Sequence, residues 1–200
     1  MSVVSGRDAG ELFRALASEL ERTEATPVEL CVIGGAALAM LGLVERPTKD
    51  IDVVALADSS SGTLVLRKAR PLPEAVSAAV TAVAIQFAIE PGWLNAGPAD
   101  LVDRGLPVGF EGRLVPVEYG HVLRVHFAGR LDLICFKTYA GADVAGRHLT
   151  DLIALAATQD EMDFALRWAV TQDPSAGFRS QLAGLADYMG VRHVLERIEG

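Results

Sequence analysis

Two carboxylates one residue apart, Asp50 and Asp52, follow a Gly34-Gly35 pair in the segment GGAALAMLGLVERPTKDIDVV. In a strand, residues i and i+2 point to the same face, so Asp50 and Asp52 project together while Ile51 turns into the core. Carboxylates that share a face repel each other unless a cation lies between them, and hard divalent ions such as Mg²⁺ prefer carboxylate oxygens. A glycine pair opening a helix lets phosphate oxygens approach backbone N–H groups at the positive end of the helix dipole. Arg46 and Lys49, just upstream of the carboxylates, supply charge that would neutralise a triphosphate. These residue types suit a Mg²⁺-bound nucleoside triphosphate, and a pair of such ions can clamp the attacking and leaving oxygens of a phosphoryl displacement.

Each part alone is unspecific. A Gly-Gly between strand and helix is commonly a tight turn, and an Asp-x-Asp at a strand edge is commonly solvated. Their order, about one helix apart, carries the signal. The rival glycine motifs, G-x-x-x-x-G-K-[ST] and G-x-G-x-x-G, do not occur. His121 and His126 have no Cys or Glu at zinc-ligand spacing, and no Ser-His-Asp or Cys-His pairing emerges. Trp93 and Asn95 could receive a base, with a loop Trp plugging a core edge as the plainer role.

The elements that must position these residues follow from periodicity. Residues 8–24 have helical spacing, 29–33 form a β-branched run ending at the glycines, and AALAMLG continues as helix. Thr48–Leu56 suits a strand whose polar end carries the aspartates. A turn at 59–62, a strand at 63–68 and a helix from Pro73 to about 89 follow, then a loop-like stretch over 91–107 with a short turn of helix near Ala99–Val102. Arg113–Glu118 and His121–His126 read as a hairpin. From there helical periods run over 129–141, 147–157, 160–170, 175–189 and 191–198. The expectation is an α+β fold: a core over residues 1–128 with a small mixed sheet, and a helical part over 129–200 packed on it.

The net charge is −8, with the acidic excess in residues 1–45 and 151–200 and a balanced middle. This excludes a uniformly basic nucleic-acid coat but leaves room for a local basic face, for which Arg104, Arg113, Arg124 and Arg130 are candidates. Cys31 and Cys135 lie in apolar runs and read as reduced, buried thiols. No stretch has the ~20 apolar residues of a membrane span and the N-terminus lacks signal-peptide character, so a cytoplasmic protein with no membrane partner is expected.

The glycine and aspartate segment resembles the signature of the polymerase-β-type nucleotidyltransferases, h-G-[GS] followed by D-h-[DE]-h. More narrowly it resembles the AbiEii-like toxins of type IV toxin–antitoxin systems, which share R-x-T-x-D-h-D, here Arg46, Thr48, Asp50 and Asp52. A second block of that family, a helical Lys, then Arg, then Asp-Leu, is matched by Lys137, Arg147 and Asp151-Leu152. The resemblance runs over roughly residues 30–170 and implies a nucleotidyltransferase-like fold. It also implies Mg²⁺ on Asp50 and Asp52, with the triphosphate held by Gly34, Gly35, Arg46, Thr48 and Lys49. Lys137 would bind phosphate or pair with Asp151, and Asp151 (with Asp132 as alternative) would be the third carboxylate, acting as general base. The acceptor would be a tRNA 3′ end or a protein side chain, and a cognate antitoxin a possible partner. Gly35 stands where many such enzymes carry Ser, removing one hydroxyl contact to the triphosphate. The rival is a non-catalytic nucleotide-binding or partner-binding module of the same fold.

Overall fold

The computed structural model describes residues 6–45 and 47–199, and the chain forms two compact units. The first comprises residues up to Asp103 together with Gly109–Ala128; the second comprises Arg104–Val108 and Gly129 onward. The division falls at 128/129, and the short segment 104–108 joins the helical unit.

The first unit opens with α1 (Gly6–Arg22), whose Leu12, Phe13, Leu16 and Leu20 are buried. Phe13 stands against Tyr119 and Phe127, with ring centroids 5.3 and 5.9 Å away. Strand β1 (Val28–Ile33) leads directly into the short helix α2 (Gly34–Met40). Then come β2 (Ile51–Asp58), β3 (Val65–Lys68), α3 (Glu74–Phe87) and the two-residue β4 (Leu94–Asn95). A 3₁₀ turn (Gly97–Asp100) and a single helical turn, α4 (Leu101–Arg104), follow. A hairpin of β5 (Val115–Tyr119) and β6 (Leu123–Phe127) completes the unit.

Among the described residues the sheet has six strands, five of them in the order β3-β2-β1-β6-β5 and β4 beside β2 off this path. β1 runs antiparallel to β2 and parallel to β6, so the sheet is mixed as expected. Both β3 and β4 pair with β2: β3 runs antiparallel along Ala55–Asp58 and β4 parallel along Ile51–Asp52. The apolar runs of β1, β2 and β6 are buried on both faces over most of their length, which explains why their sequences read as nearly continuous hydrophobic stretches. β5 lies at the end of the strand order, pairs with β6, and carries Pro116 opposite His126.

The second unit is helical: α5 (Arg130–Asp143), α6 (Ala145–Leu155, broken at Gly146), α7 (Gln159–Gln172), α8 (Ala176–Tyr188) and α9 (Arg192–Glu199). Phe136, Tyr139, Trp168 and Phe178 form an aromatic chain with centroid spacings of 5.2–6.0 Å. Arg130 donates to the Leu155 carbonyl at 2.8 Å and to Glu161 at 2.9 and 3.1 Å, tying the start of α5 to the α6–α7 junction. Thr158 and Glu161 form a capping box at the start of α7. No helix of the described residues is long and apolar enough to cross a membrane.

Candidate functional site

The site is built where β1 ends and β2 begins. Their pairing slips register between Cys31 and Val32, after which Ile33 lies opposite Asp52. Such an irregularity commonly re-aims side chains next to a site. Here it sets the turn after Ile33 beside the Asp52 carboxylate. Gly34 occupies that turn with φ +75°, and a methyl group at its Cα would lie 2.7 Å from Asp52 Oδ2. The backbone conformation favours glycine, and any side chain there would displace the Asp52 carboxylate. The N-cap of α2 is Ile33, a side chain with no hydrogen-bond acceptor, so no cap side chain bonds to the first N–H groups of this helix. Gly35 follows, buried in the first turn.

β2 starts at Ile51, so Asp50 lies one residue ahead of the strand rather than inside it, a correction to the strand expected from Thr48. The physical reason is the Thr48 side chain. It is buried, and its hydroxyl donates to the Asp50 carbonyl at 3.1 Å, holding a turn where a ladder was expected. Thr48 thus spends its hydroxyl on shaping the approach to Asp50. Asp50 and Asp52 are half-buried and flank the fully buried Ile51; Lys49 is exposed. Arg46 lies outside the described residues.

β4 adds a residue that sequence reasoning assigned elsewhere. Trp93 is buried and donates Nε1 to the Val80 carbonyl at 3.0 Å, which makes it a core plug rather than a platform for a base. Its own carbonyl accepts from Ile51 N–H at 2.6 Å. Asn95 then sits in register with Asp52, its Nδ2 3.4 Å from Asp52 Oδ1. A two-residue strand has no periodicity to read, so only the register reveals this neighbour.

Lys137 and Asp151 belong to the second unit, on α5 and α6, and meet there: Nζ lies 2.7 Å from Oδ2. Their side chains are 4 % and 0 % exposed. Lys137 is therefore shielded from water, and Asp151 lies one turn beyond the break in α6 at Gly146. Asp132, the alternative carboxylate, is buried in the first turn of α5.

A separate polar cluster lies in the first unit. Glu29 accepts from Ser59 Oγ at 2.5 Å, pairs with His126 Nε2 at 2.6 Å and lies 3.5 Å from Arg124. Burial pushes the Glu29 carboxyl upward, but Ser59, His126 and Arg124 together outweigh it and hold it below the usual carboxylate range. The carboxylate stands between the serine and the histidine, so no hydroxyl is activated by an imidazole here. Arg124 is engaged by Glu118 and Glu29, and Arg130 by Glu161, so local acids balance the charge of these two candidates for a basic face. Cys31 is buried, and burial pushes its thiol up to about 12.

The Asp50–Asp52 segment offers the kind of oxygen donors that a small hard cation takes. Two half-buried carboxylates stand one residue apart, with a side-chain-free backbone against one of them. Mg²⁺ characteristically takes one or two protein carboxylates and completes its shell with phosphate oxygens and water. Among the described residues no group of three or more His, Cys, Asp or Glu is arranged to hold a metal. No curated protein and no solved structure matches the chain. A family model described as "nucleotidyltransferase of unknown function (DUF6036)" matches residues 11–153, which span the β1–Gly34 turn, the Asp50–Asp52 pair and the Lys137–Asp151 pair. The chain belongs to this nucleotidyltransferase family.

Proposed function

We propose that the protein is a Mg²⁺-dependent enzyme that transfers a nucleoside monophosphate from a nucleoside triphosphate to an acceptor hydroxyl. The approach of Gly34 to Asp52 carries this proposal. A residue with φ +75° and no room for a side chain stands against one of two adjacent carboxylates, as a site for a metal-bound triphosphate requires. Family membership supports the same chemistry.

Asp50 and Asp52 would hold the ion, which when bound supplies Lewis-acid polarisation of a phosphoryl oxygen. The backbone N–H groups of Gly34 and Gly35 would hold the phosphates, and Lys49, with Arg46, would offset their charge. In the reaction the acceptor oxygen forms a bond to the α-phosphorus. The bond to the bridging oxygen breaks, pyrophosphate leaves, and the acceptor proton passes to a base. Lys137 and Asp151 enter through the AbiEii-like resemblance, with Asp151 as that base and Lys137 fixing its charge. The same resemblance supplies the acceptor, a tRNA 3′ end or a protein side chain, and a setting in which an antitoxin restrains the enzyme.

The test is incubation of the protein with each labelled nucleoside triphosphate, Mg²⁺ and total RNA, beside an Asp52→Ala variant. Label entering RNA or protein only with the unmutated chain is the expected result. Retained Mg²⁺-dependent nucleotide binding without any labelled product would overturn transfer and leave a binding module.

A further inference from the structure

Asp52 has a neighbour whose chemistry differs from its own. The parallel pairing of β4 with β2 sets Ile51 against Leu94 and Asp52 against Asn95. At this position an aspartate would put a third carboxylate beside Asp52. The chain carries a neutral amide instead.

The amide is held in one orientation. Asn95 Oδ1 accepts from Gly97 N–H at 2.8 Å, so Nδ2 is the atom turned toward Asp52 Oδ1 at 3.4 Å. Only the amine side of an amide can donate, so this arrangement aims a donor at the carboxylate. The turn is packed around that oxygen: a methyl group on Gly97 would lie 2.8 Å from Asn95 Oδ1. Arg70 clamps the following backbone, donating to the Ala96 carbonyl at 3.3 and 3.0 Å and to the Gly97 carbonyl at 2.6 Å. On the other side the Trp93 indole, fixed to Val80, anchors the carbonyl that accepts from Ile51. A strand of two residues is thus secured at both ends, and the amide it presents lies beside Asp52.

We propose, as an extension of the metal-dependent transfer above, that Asn95 is a positioning residue for the metal ligand Asp52. Its Nδ2–H engages Oδ1 and fixes the orientation in which the carboxylate meets the cation. Outer groups that orient a metal-binding carboxylate typically govern affinity by 10- to 100-fold when removed. The neutral amide also keeps the charge of the site at two carboxylates, which sets how strongly it binds metal before nucleotide arrives.

The experiment follows Mn²⁺ binding by electron paramagnetic resonance, in the presence of a non-hydrolysable ATP analogue. It compares the wild-type chain with Asp52→Ala, Asn95→Leu, Gly97→Ala and Asn95→Asp. Thermal melting of each variant identifies any that fail to fold. Wild type is expected to bind and D52A to lose binding, which tests the metal site itself. N95L is expected to weaken Mn²⁺ about tenfold, with G97A weakening it through displacement of the amide. N95D is expected to bind more tightly than wild type at neutral pH and to lose that gain on acidification, a change that a merely structural asparagine would not produce. Folded N95L and N95D variants with wild-type affinity, beside a D52A variant that has lost binding, would overturn the role of Asn95 alone. Absence of Mn²⁺ binding in the wild type would overturn both proposals.

Discussion

Lys137 Nζ and Asp151 Oδ2 lie 2.7 Å apart with both side chains shielded from water, so each is the other's counter-charge in a setting where neither can be lost cheaply. Removing one partner from a buried pair leaves an uncompensated charge and typically costs about 3–5 kcal/mol, whereas replacing both with apolar groups is often neutral. K137M and D151A are therefore expected to lower the urea midpoint strongly, and the K137M/D151L double variant to recover most of the loss. The double variant also serves the labelling assay. If it folds and transfers nucleotide normally, the pair is structural only; if it folds and is inactive, the pair takes part in the chemistry.

Gly34→Ala should act on the site as well as on the fold. A side chain at φ +75° costs about 1–3 kcal/mol, and the added methyl group meets Asp52 Oδ2 at 2.7 Å. The atom that must yield is the proposed metal ligand. Nucleotide binding measured by calorimetry in Mg²⁺ is expected to drop far more than the stability loss implies. Unchanged binding would remove Gly34 from the site.

Glu29 gives a pH dependence with a definite sign. Its folded-state carboxyl lies below the ordinary value of 4.5, so the unfolded chain takes up the proton more readily. The stabilisation is then fully present above that ordinary value and disappears as the pH falls through the lowered one. Between pH 7 and pH 3, Glu29→Gln is expected to lose less stability than wild type in parallel urea titrations. An identical acid limb in the two proteins would show that the Ser59–Glu29–His126 cluster contributes no linkage.

The Cys31 thiol, pushed up to about 12 by burial, is protonated at any ordinary pH and closed to reagents. Native protein at pH 8 should leave Cys31 unmodified by a thiol-specific disulfide reagent, with reaction appearing on unfolding. Rapid modification in the folded state would contradict the packing of β1.

Legibility in the sequence tracked how local the determinants were. The β1–Gly34–α2 turn was readable because a β-branched run, a glycine pair and a helical period succeed one another within a dozen residues. The C-terminal helices were readable from period and from breaks at Gly190 and Pro174. Asp50 was placed inside a strand because alternation says nothing of the Thr48 hydroxyl that bends the backbone there. The partnership of Asn95 with Asp52 is not legible in the sequence because it depends on two segments 43 positions apart. Segment 104–108 likewise joins the helical unit through long-range bonds, with Trp168 and Gln172 both donating to the Gly105 carbonyl.

Pro116 bears on how the molecule behaves in company. An outermost strand offers a row of amide donors to any other extended chain, the usual route to edge-to-edge aggregation. Within the five residues of β5 one donor is missing, because proline has no N–H, and Glu118 adds a charge two positions on. At the opposite edge the outermost position is split between two short strands, β3 and β4, which divide the flank of β2 between them. A Pro116→Val exchange would restore the missing donor, and light scattering at high concentration should then detect self-association that the natural sequence resists.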